Sequence, residues 1–367
     1  MGTVDPVLLL YLFTGVCVLY ATLVSVFFAV LPKHRTGQRL ADASILDHLT
    51  MVLPFKNEQF HLDALKKHYS DFPCRLVMVN DHSTDITPEA LKALYASSPI
   101  DVLHLPAGSH GKKAALHFGI AHCNTEWVLT TDADTRLSRL WLHTLSFDGR
   151  KEQAYVLPVM PKVRETGIGS FFDLEFMALQ GVGLATAKLG VPLLANGAAF
   201  LFRKEAYLTS LPSRNDMEIP GGDDVFTLHA IADFYGKESV NVLANFGPAA
   251  VTIFPKSSSD LWRQRVRWIS KVPQVNNLAY SIISWLVLFT NVAQLAIYTG
   301  LLCFPAMHVW LVPLGVKLSA DLLILAWGVS YFRRLDCLWW IFPGVLFYPI
   351  YFLALVTHAT LIKPSWK

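Results

Sequence analysis

An α/β domain built on a mostly parallel sheet and flanked by transmembrane helices is the fold class that this 367-residue sequence predicts. Two observations carry the prediction. Between about Asp47 and Leu137 the short β-rich runs "HLTMVLPF", "CRLVMVND", "VLHL" and "EWVLTTDAD" alternate with stretches of helical periodicity, the pattern of βαβ units. Hydrophobic residues make up 53% of the chain and mean hydropathy is +0.38, an excess for a water-soluble protein. That excess collects in one run near Val7–Leu31 and three runs after Ala279, each long enough for the roughly 20 residues that cross a bilayer.

The first run has almost no charge ahead of it and "PKHRTGQR" directly behind it, which by the positive-inside rule puts the amino terminus outside and the next domain in the cytoplasm. A cleaved signal peptide fits less well, because the apolar stretch is too long and lacks a basic start. The later runs, Tyr280–Phe304, Val309–Tyr331 and Leu338–Ile362, then go out, in and out, with "FRRLD" (Phe332–Asp336) cytoplasmic; Lys363 and Lys367 at the outer end run against this. Lys317 and Asp321, four residues apart in the third span, are expected to neutralise one another inside the bundle. The expected organisation is a transmembrane helix over 1–33, a cytoplasmic domain over 34–256, an interfacial helix over 257–278 and about three spans over 279–367, in a membrane such as the bacterial inner membrane.

Within the α/β region a helix opens at "DITPEALKALYASS", with Thr87 as N-cap and Pro88 in the first turn. The region from Val156 to Gly247, apolar runs broken by Gly-rich turns, reads as the second half of the same domain. No G-x-G-x-x-G follows the first strand, and "GSHGKKA" lacks the spacing and the Ser/Thr of a P-loop, so dinucleotide oxidoreductases and P-loop nucleotidases lose their usual support. The five cysteines are scattered without a C-x-x-C pair, which argues against a disulfide framework or structural zinc. A net charge of +3, clustered beside the apolar runs, forms no stripe for nucleic acid.

The polar clusters fall where parallel strands end, the edge at which open α/β sheets bind ligands. "LPFKNE" and "VNDHSTD" gather Asn57, Glu58, Asp81 and Asp85 there; Asp81 is placed to accept from a base or ribose, although ordinary turn chemistry accounts for the same residue types. "GKKAALHFGIAH" sets Lys112 and Lys113 in the first turn of a helix, the end that disfavours cations. Either an anion such as a diphosphate relieves this or both lysines reach water. In "EWVLTTDADTR" Asp132 and Asp134 project to the same side beyond a buried-type strand, and a hard divalent cation, Mg²⁺ or Mn²⁺, would relieve their repulsion; a solvated acidic turn is the alternative.

"EIPGGDDVFTLHA" adds Asp223 and Asp224 at a helix start, one explained by capping and the other available as a general base. In "SDLWRQRVRWISK" Gln264, Arg267 and Trp268 share one helix face, extended by Leu261 and Lys271. That face suits phosphate and acceptor, and equally a basic, Trp-bearing helix lying on a membrane. The apolar segment Ile168–Leu189, interrupted by Asp173 and Glu175, fits either a membrane-interface helix or a core helix.

Taken in order, "PFKNE", "NDHSTD", "GKKAAL", "DAD", "GDD" and "QRVRW" resemble the inverting family 2 glycosyltransferases with the GT-A fold, in particular membrane members with the Q-x-x-R-W signature such as ceramide and carotenoid glycosyltransferases and, more distantly, cellulose, chitin and hyaluronan synthases. The resemblance covers roughly Leu49 to Lys271. It implies a GT-A nucleotide-sugar-binding domain in which Asp81 contacts the uracil or ribose of a UDP-sugar. The resemblance also implies that Asp132 and Asp134 form the D-x-D pair, with Asp134 the direct ligand of Mg²⁺ or Mn²⁺, and that Asp224 is the base. Gln264, Arg267 and Trp268 line the diphosphate and acceptor, and "ANGAAFLFRKEA", with Asn196 and Gly197, resembles the acceptor-side segment. Members often have Glu-Asp where this chain has Asp223-Asp224, which leaves the base open between the two.

The implied activity is an inverting transfer of one sugar from a UDP-sugar to a membrane lipid at the cytoplasmic leaflet, because the few spans leave little material for a polymer channel. A short processive synthase and a non-catalytic nucleotide-sugar-binding membrane protein are the other readings.

Overall fold

The computed structural model describes residues 6–33, 44–69, 72–94, 100–143, 145, 151–163, 167–214, 216, 219, 221–244, 247–253, 257–303 and 308–361. The basic residues from His34 to Arg39, and Lys363 and Lys367, on which the expected topology leans, lie outside them. The chain divides into two compact units. One is α/β and comprises Pro32–Lys162 and Thr186–Ile253; the other is helical and comprises Met1–Leu31, Val163–Ala185 and Phe254–Lys367. Val163–Ala185 thus groups with the apolar helices rather than with an unbroken domain over 34–256.

The described residues of the α/β unit form ten strands: β1 Leu49–Phe55, β2 Arg75–Asn80, β3 Ile100–His104, β4 Trp127–Thr130, β5 Thr135–Leu137, β6 Ala154–Val156, β7 Val159–Pro161, β8 Phe200–Arg203, β9 Val240–Val242 and β10 Ala250–Thr252. Seven form one sheet in the order β3-β2-β1-β4-β8-β6-β9, and three form a second in the order β5-β10-β7. β1 is buried along its whole length, which is why "LTMVLPF" reads as a continuous apolar run rather than an alternating one. The first four strands in sequence are parallel, with Val52 opposite Val77 and Met51 opposite Leu129, so their carboxyl ends share one edge.

β8 is antiparallel to both β4 and β6, pairing Thr130 and Val156 with Phe200. Its amino-terminal end, and the Asn196–Gly197 turn before it, therefore reach the edge where β4 ends. The helix Lys112–His122 lies against β1 and β2 at Gly119, where a Cβ would stand 2.7 Å from Val52 Cγ1 and 2.8 Å from Val79 Cγ2. Glycine permits this approach, which sets the start of the helix over the same edge.

Among the described residues of the helical unit, four helices are long and apolar enough to cross a membrane: Val7–Val30, Leu278–Cys303, His308–Tyr331 and Leu335–Leu361. Only 11–33% of each apolar window is buried, so most of that surface faces outward, Trp285 and Trp339 included. An outward apolar face of this extent suits lipid better than water.

Several polar groups inside the unit are matched. Tyr20 donates a 2.8 Å hydrogen bond to Asp321, which also pairs with Lys317. Pro349 cannot donate to the Val345 carbonyl one turn before it, and the Gln294 side chain does so instead at 3.0 Å, while Tyr298 donates to Leu346 O at 3.1 Å. The two acids that interrupt the apolar helix Gly167–Lys188 are countered as well. Arg334 pairs with Asp173 at 2.7 Å and Arg265 with Glu175 at 2.8 Å.

Candidate active site

The site is built on the carboxyl edge of the large sheet. Loops after β1 and β2 lace together: Asn57 Oδ1 accepts from Thr84 N at 2.8 Å, Asn57 N donates to Ser83 Oγ at 3.0 Å, and Glu58 N donates to Thr87 Oγ1 at 3.0 Å. Asp85 accepts from Thr87 N at 3.0 Å and from Gln59 N at 3.1 Å, so Asp85, rather than Thr87, serves the start of the helix Thr87–Leu94. Turn chemistry accounts for Asn57 and Asp85. The Glu58 carboxylate pairs with His61 at 2.5 Å and lies close enough for its charge to act on Asp134.

Asp81 follows β2, is 7% exposed, and accepts from Gly111 N at 3.1 Å. This bond helps tie the β2 loop to the turn that opens the helix Lys112–His122.

The two lysines of that turn part company. Lys112 Nζ is 2.5 Å from Asp132 Oδ1. Burial opposes its charge, and Asp132, Asp224 and Asp134 more than offset this, so its pKa lies above the ordinary lysine value. Lys113 is buried and pairs with Asp216, donating also to that residue's carbonyl at 2.6 Å; burial lowers its pKa. Sequence offered both lysines the same partners, an anion such as a diphosphate or else water, but Lys113 is committed to an internal ion pair. Successive helical residues are rotated by about 100°, so they serve different neighbours.

Asp132 and Asp134 occupy the turn between β4 and β5, held by Thr135 N to Asp132 O at 3.0 Å and Ile253 N to Asp134 O at 3.2 Å. Burial and the Asp132 charge, only partly countered by Lys112, push the Asp134 carboxyl up to about 7. An acid pair in which one member is driven toward the neutral form, with a single ammonium as counter-charge, is a donor set that fits a divalent cation.

Asp223 and Asp224 begin the helix Asp223–Tyr235 behind Gly221 and Gly222, whose φ values of +72° and +73° require glycine in this turn. They diverge as the lysines do. Asp223 accepts from Arg214 at 2.8 Å and is 9% exposed. Asp224 instead accepts from Gly197 N at 2.8 Å and from Val225 N at 3.0 Å. A Cβ at Gly197 would lie 3.6 Å from Asp224 Oδ2 and 3.7 Å from Lys112 Nζ, which places base candidate, lysine and D-x-D pair around one small space. Gly222 rather than an aspartate is the N-cap residue, while the Asp224 side chain serves the first-turn amide of Val225.

Arg214 and Asp216, which sequence passed over, are the hub behind this arrangement. Arg214 donates to both Asp216 oxygens at 2.8 and 2.7 Å, to Asp223, and to Thr227 Oγ1 at 2.6 Å. A lone Arg-x-Asp in a loop gives no signal of such burial.

Gln264, Arg267 and Trp268 lie on the helix Ser258–Ile269 of the helical unit. There Gln264 Oε1 accepts from Arg265 at 2.6 Å and the Arg265 guanidinium sits 4.3 Å from the Trp268 ring centroid. Burial lowers the Arg267 pKa. Arg265, between the signature positions, is the residue that anchors this helix through Glu175 and the Phe172 carbonyl at 3.2 Å.

Fold and site together define a GT-A-like α/β domain accompanied by helices long and apolar enough for a membrane. Residues 50–167 match the family model described as glycosyl transferase family 2. A solved mannosyltransferase from Pyrobaculum calidifontis, in complex with GDP-Man and Mn²⁺, is similar over 97% of this chain and 98% of its own, with a TM-score of 0.60 and 17% identity. A glucosyl-3-phosphoglycerate synthase from Mycobacterium tuberculosis, in complex with Mn²⁺, UDP and phosphoglyceric acid, is similar over 66% of this chain and 86% of its own, with a TM-score of 0.45 and 18% identity. Comparison with curated proteins finds no match.

Proposed function

We propose that this protein is a metal-dependent, inverting glycosyltransferase that moves one sugar from a nucleotide-sugar, a UDP-sugar by preference, to a membrane lipid at the cytoplasmic leaflet. The observation that carries the reading is the convergence of Lys112, Asp132, Asp134 and Asp224 beside Gly197 at the carboxyl edge of a GT-A-like sheet. The four apolar helices of the same chain support a lipid acceptor in a multi-pass protein.

In this reading Asp81 orients the base or ribose of the donor. Asp224, positioned by the Gly197 amide, takes the proton of the acceptor hydroxyl as it attacks the anomeric carbon from the face opposite the nucleotide. One base suffices for a single inverting displacement. Asp132 and Asp134 would hold Mg²⁺ or Mn²⁺, which supplies charge stabilisation for the departing diphosphate when bound. Lys112 adds a fixed positive charge at the same place, and Gln264, Arg267 and Trp268 serve the diphosphate and acceptor.

Purified protein in lipid nanodiscs, given UDP- and GDP-sugars in turn with Mn²⁺ or Mg²⁺ and a lipid extract, is expected to yield one new glycolipid by mass spectrometry. GDP-linked donors belong in the panel because the similar mannosyltransferase carries GDP-Man. Long polymer would replace the single-transfer reading with a processive synthase. Nucleotide binding without any product would leave a non-catalytic binder.

Asp134 makes metal binding pH-dependent. With its carboxyl at about 7 in the metal-free protein, binding must displace a proton below that pH, so Mn²⁺ affinity rises by about tenfold per pH unit up to 7 and then levels. The stability sign is opposite. A folded pKa raised above the unfolded value favours the metal-free fold at low pH, and this contribution fades as pH rises through about 7. Electron paramagnetic resonance of free Mn²⁺ from pH 5.5 to 8 (roughly the range in which such a group titrates) reads the first effect, and a flat profile would contradict it.

A further inference from the structure

We infer that Asp81, His82 and His110 form a second cation site, separate from the Asp132–Asp134 pair and suited to a borderline transition metal such as Zn²⁺. A carboxylate oxygen of Asp81 and one ring nitrogen from each histidine lie within 4.8 Å of one another. Two imidazoles and one carboxylate are the donor set of zinc rather than of the oxygen-seeking Mg²⁺. The two ring centroids lie 4.6 Å apart with the rings tilted by 49°, and His110 is exposed, so a ring rotation draws its nitrogen in without disturbing the core.

The supports behind these side chains are already in place. His82 Nε2 donates to the Ser109 carbonyl at 2.9 Å, a hydrogen bond to a group that only accepts, which orients the ring as backing groups do for metal-bound histidines. Asp81 is fixed by the Gly111 amide at 3.1 Å. His82 has a φ of +52°, a left-handed backbone that a non-glycine residue adopts at a cost and that turns its side chain back toward the loop of Ser109 and His110. The nearest cation, Lys56 Nζ at 3.8 Å from Asp81, belongs to a side chain that is 53% exposed and is free to swing away.

Asp81 directly follows β2, and β1 separates β2 from β4, so two interstrand steps of about 4.8 Å each hold this cluster apart from the D-x-D turn. The consequence rests on the proposed function: metal on Asp81 occupies the carboxylate that receives the nucleotide, so Zn²⁺ and donor exclude one another.

The test uses tag-free full-length protein in detergent and Zn²⁺ alone, titrated against a chromophoric chelator. One Zn²⁺ per chain is expected to bind and to persist in the Asp132→Asn/Asp134→Asn double variant. His110→Gln, an exposed change that leaves the fold intact, and His82→Gln are each expected to weaken it at least about tenfold. Co²⁺ in place of Zn²⁺ is expected to give visible d–d bands that vanish in His110→Gln. Zn²⁺ affinity within twofold of wild type in both histidine variants overturns the site. Added UDP or GDP is expected to weaken Zn²⁺ binding in competition. Histidine-dependent binding that ignores nucleotide upholds the site, and the assignment of Asp81 to the nucleotide is then what fails.

Discussion

If Asp224 is the base, as proposed, Asp224→Asn is expected to lower the turnover number for sugar transfer by about 10²–10⁴-fold, the range that removal of a positioned general base produces. Asparagine keeps the shape of the side chain, and its amide oxygen still accepts from the Gly197 amide that sits 2.8 Å from Asp224. What it loses is the capacity to take a proton. Donor KM and Mn²⁺ affinity are therefore expected to stay within a few-fold of wild type, since a group that acts only in the transition state lowers kcat and kcat/KM together. Asp223→Asn is the control. Its carboxylate is bonded to Arg214, so its expected cost falls on stability more than on turnover. Activity of Asp224→Asn within tenfold of wild type, beside a larger loss in Asp223→Asn, would assign the base to Asp223.

Arg214→Met is expected to destabilise the α/β unit by about 3–5 kcal/mol, the cost of breaking a buried ion pair from one side. The guanidinium is 2% exposed and serves Asp216, Asp223 and Thr227 together, while Lys113 is left to balance two buried carboxylates. At about 2–4 °C per kcal/mol for a unit of this size, thermal denaturation should fall by roughly 10 °C. Arg214→Lys keeps the charge but not the fork, and a smaller loss is expected. The effect is also pH-linked. Although burial raises the Asp216 pKa, bonds from Arg214 and Lys113 more than offset this and hold it below the ordinary value. Its stabilising contribution is thus present above the unfolded pKa and is lost as pH falls through the folded one. An unchanged melting temperature in Arg214→Met would show that the network contributes nothing net, as some buried ion pairs do.

Much of the architecture is legible along the chain because it is written in local periodicity. Apolar runs after Ala279 and before Leu31 coincide with helices long enough to cross a membrane. Buried parallel strands read as unbroken β-branched and aliphatic runs, and their polar ends mark the edge of the sheet. Spacing in "DADTR" placed Asp132 and Asp134 together just beyond a buried strand, and both lie in the segment between β4 and β5. Composition did not reveal that β8 enters the sheet antiparallel between β4 and β6, because strand pairing depends on partners far apart in sequence. That insertion carries Gly197 to the edge where β4 ends, and with it the amide that positions Asp224.

The sequence by itself determined which segments are apolar, which strands end in acids, and which residue types are available for chemistry. Only the tertiary structure decided between neighbours: Lys112 for the acid pair and Lys113 for Asp216, Asp224 for Gly197 and Asp223 for Arg214. The physical reason is the same in both cases. Adjacent residues on a helix point about 100° apart, and what each one meets is set by packing against distant segments that no local pattern records.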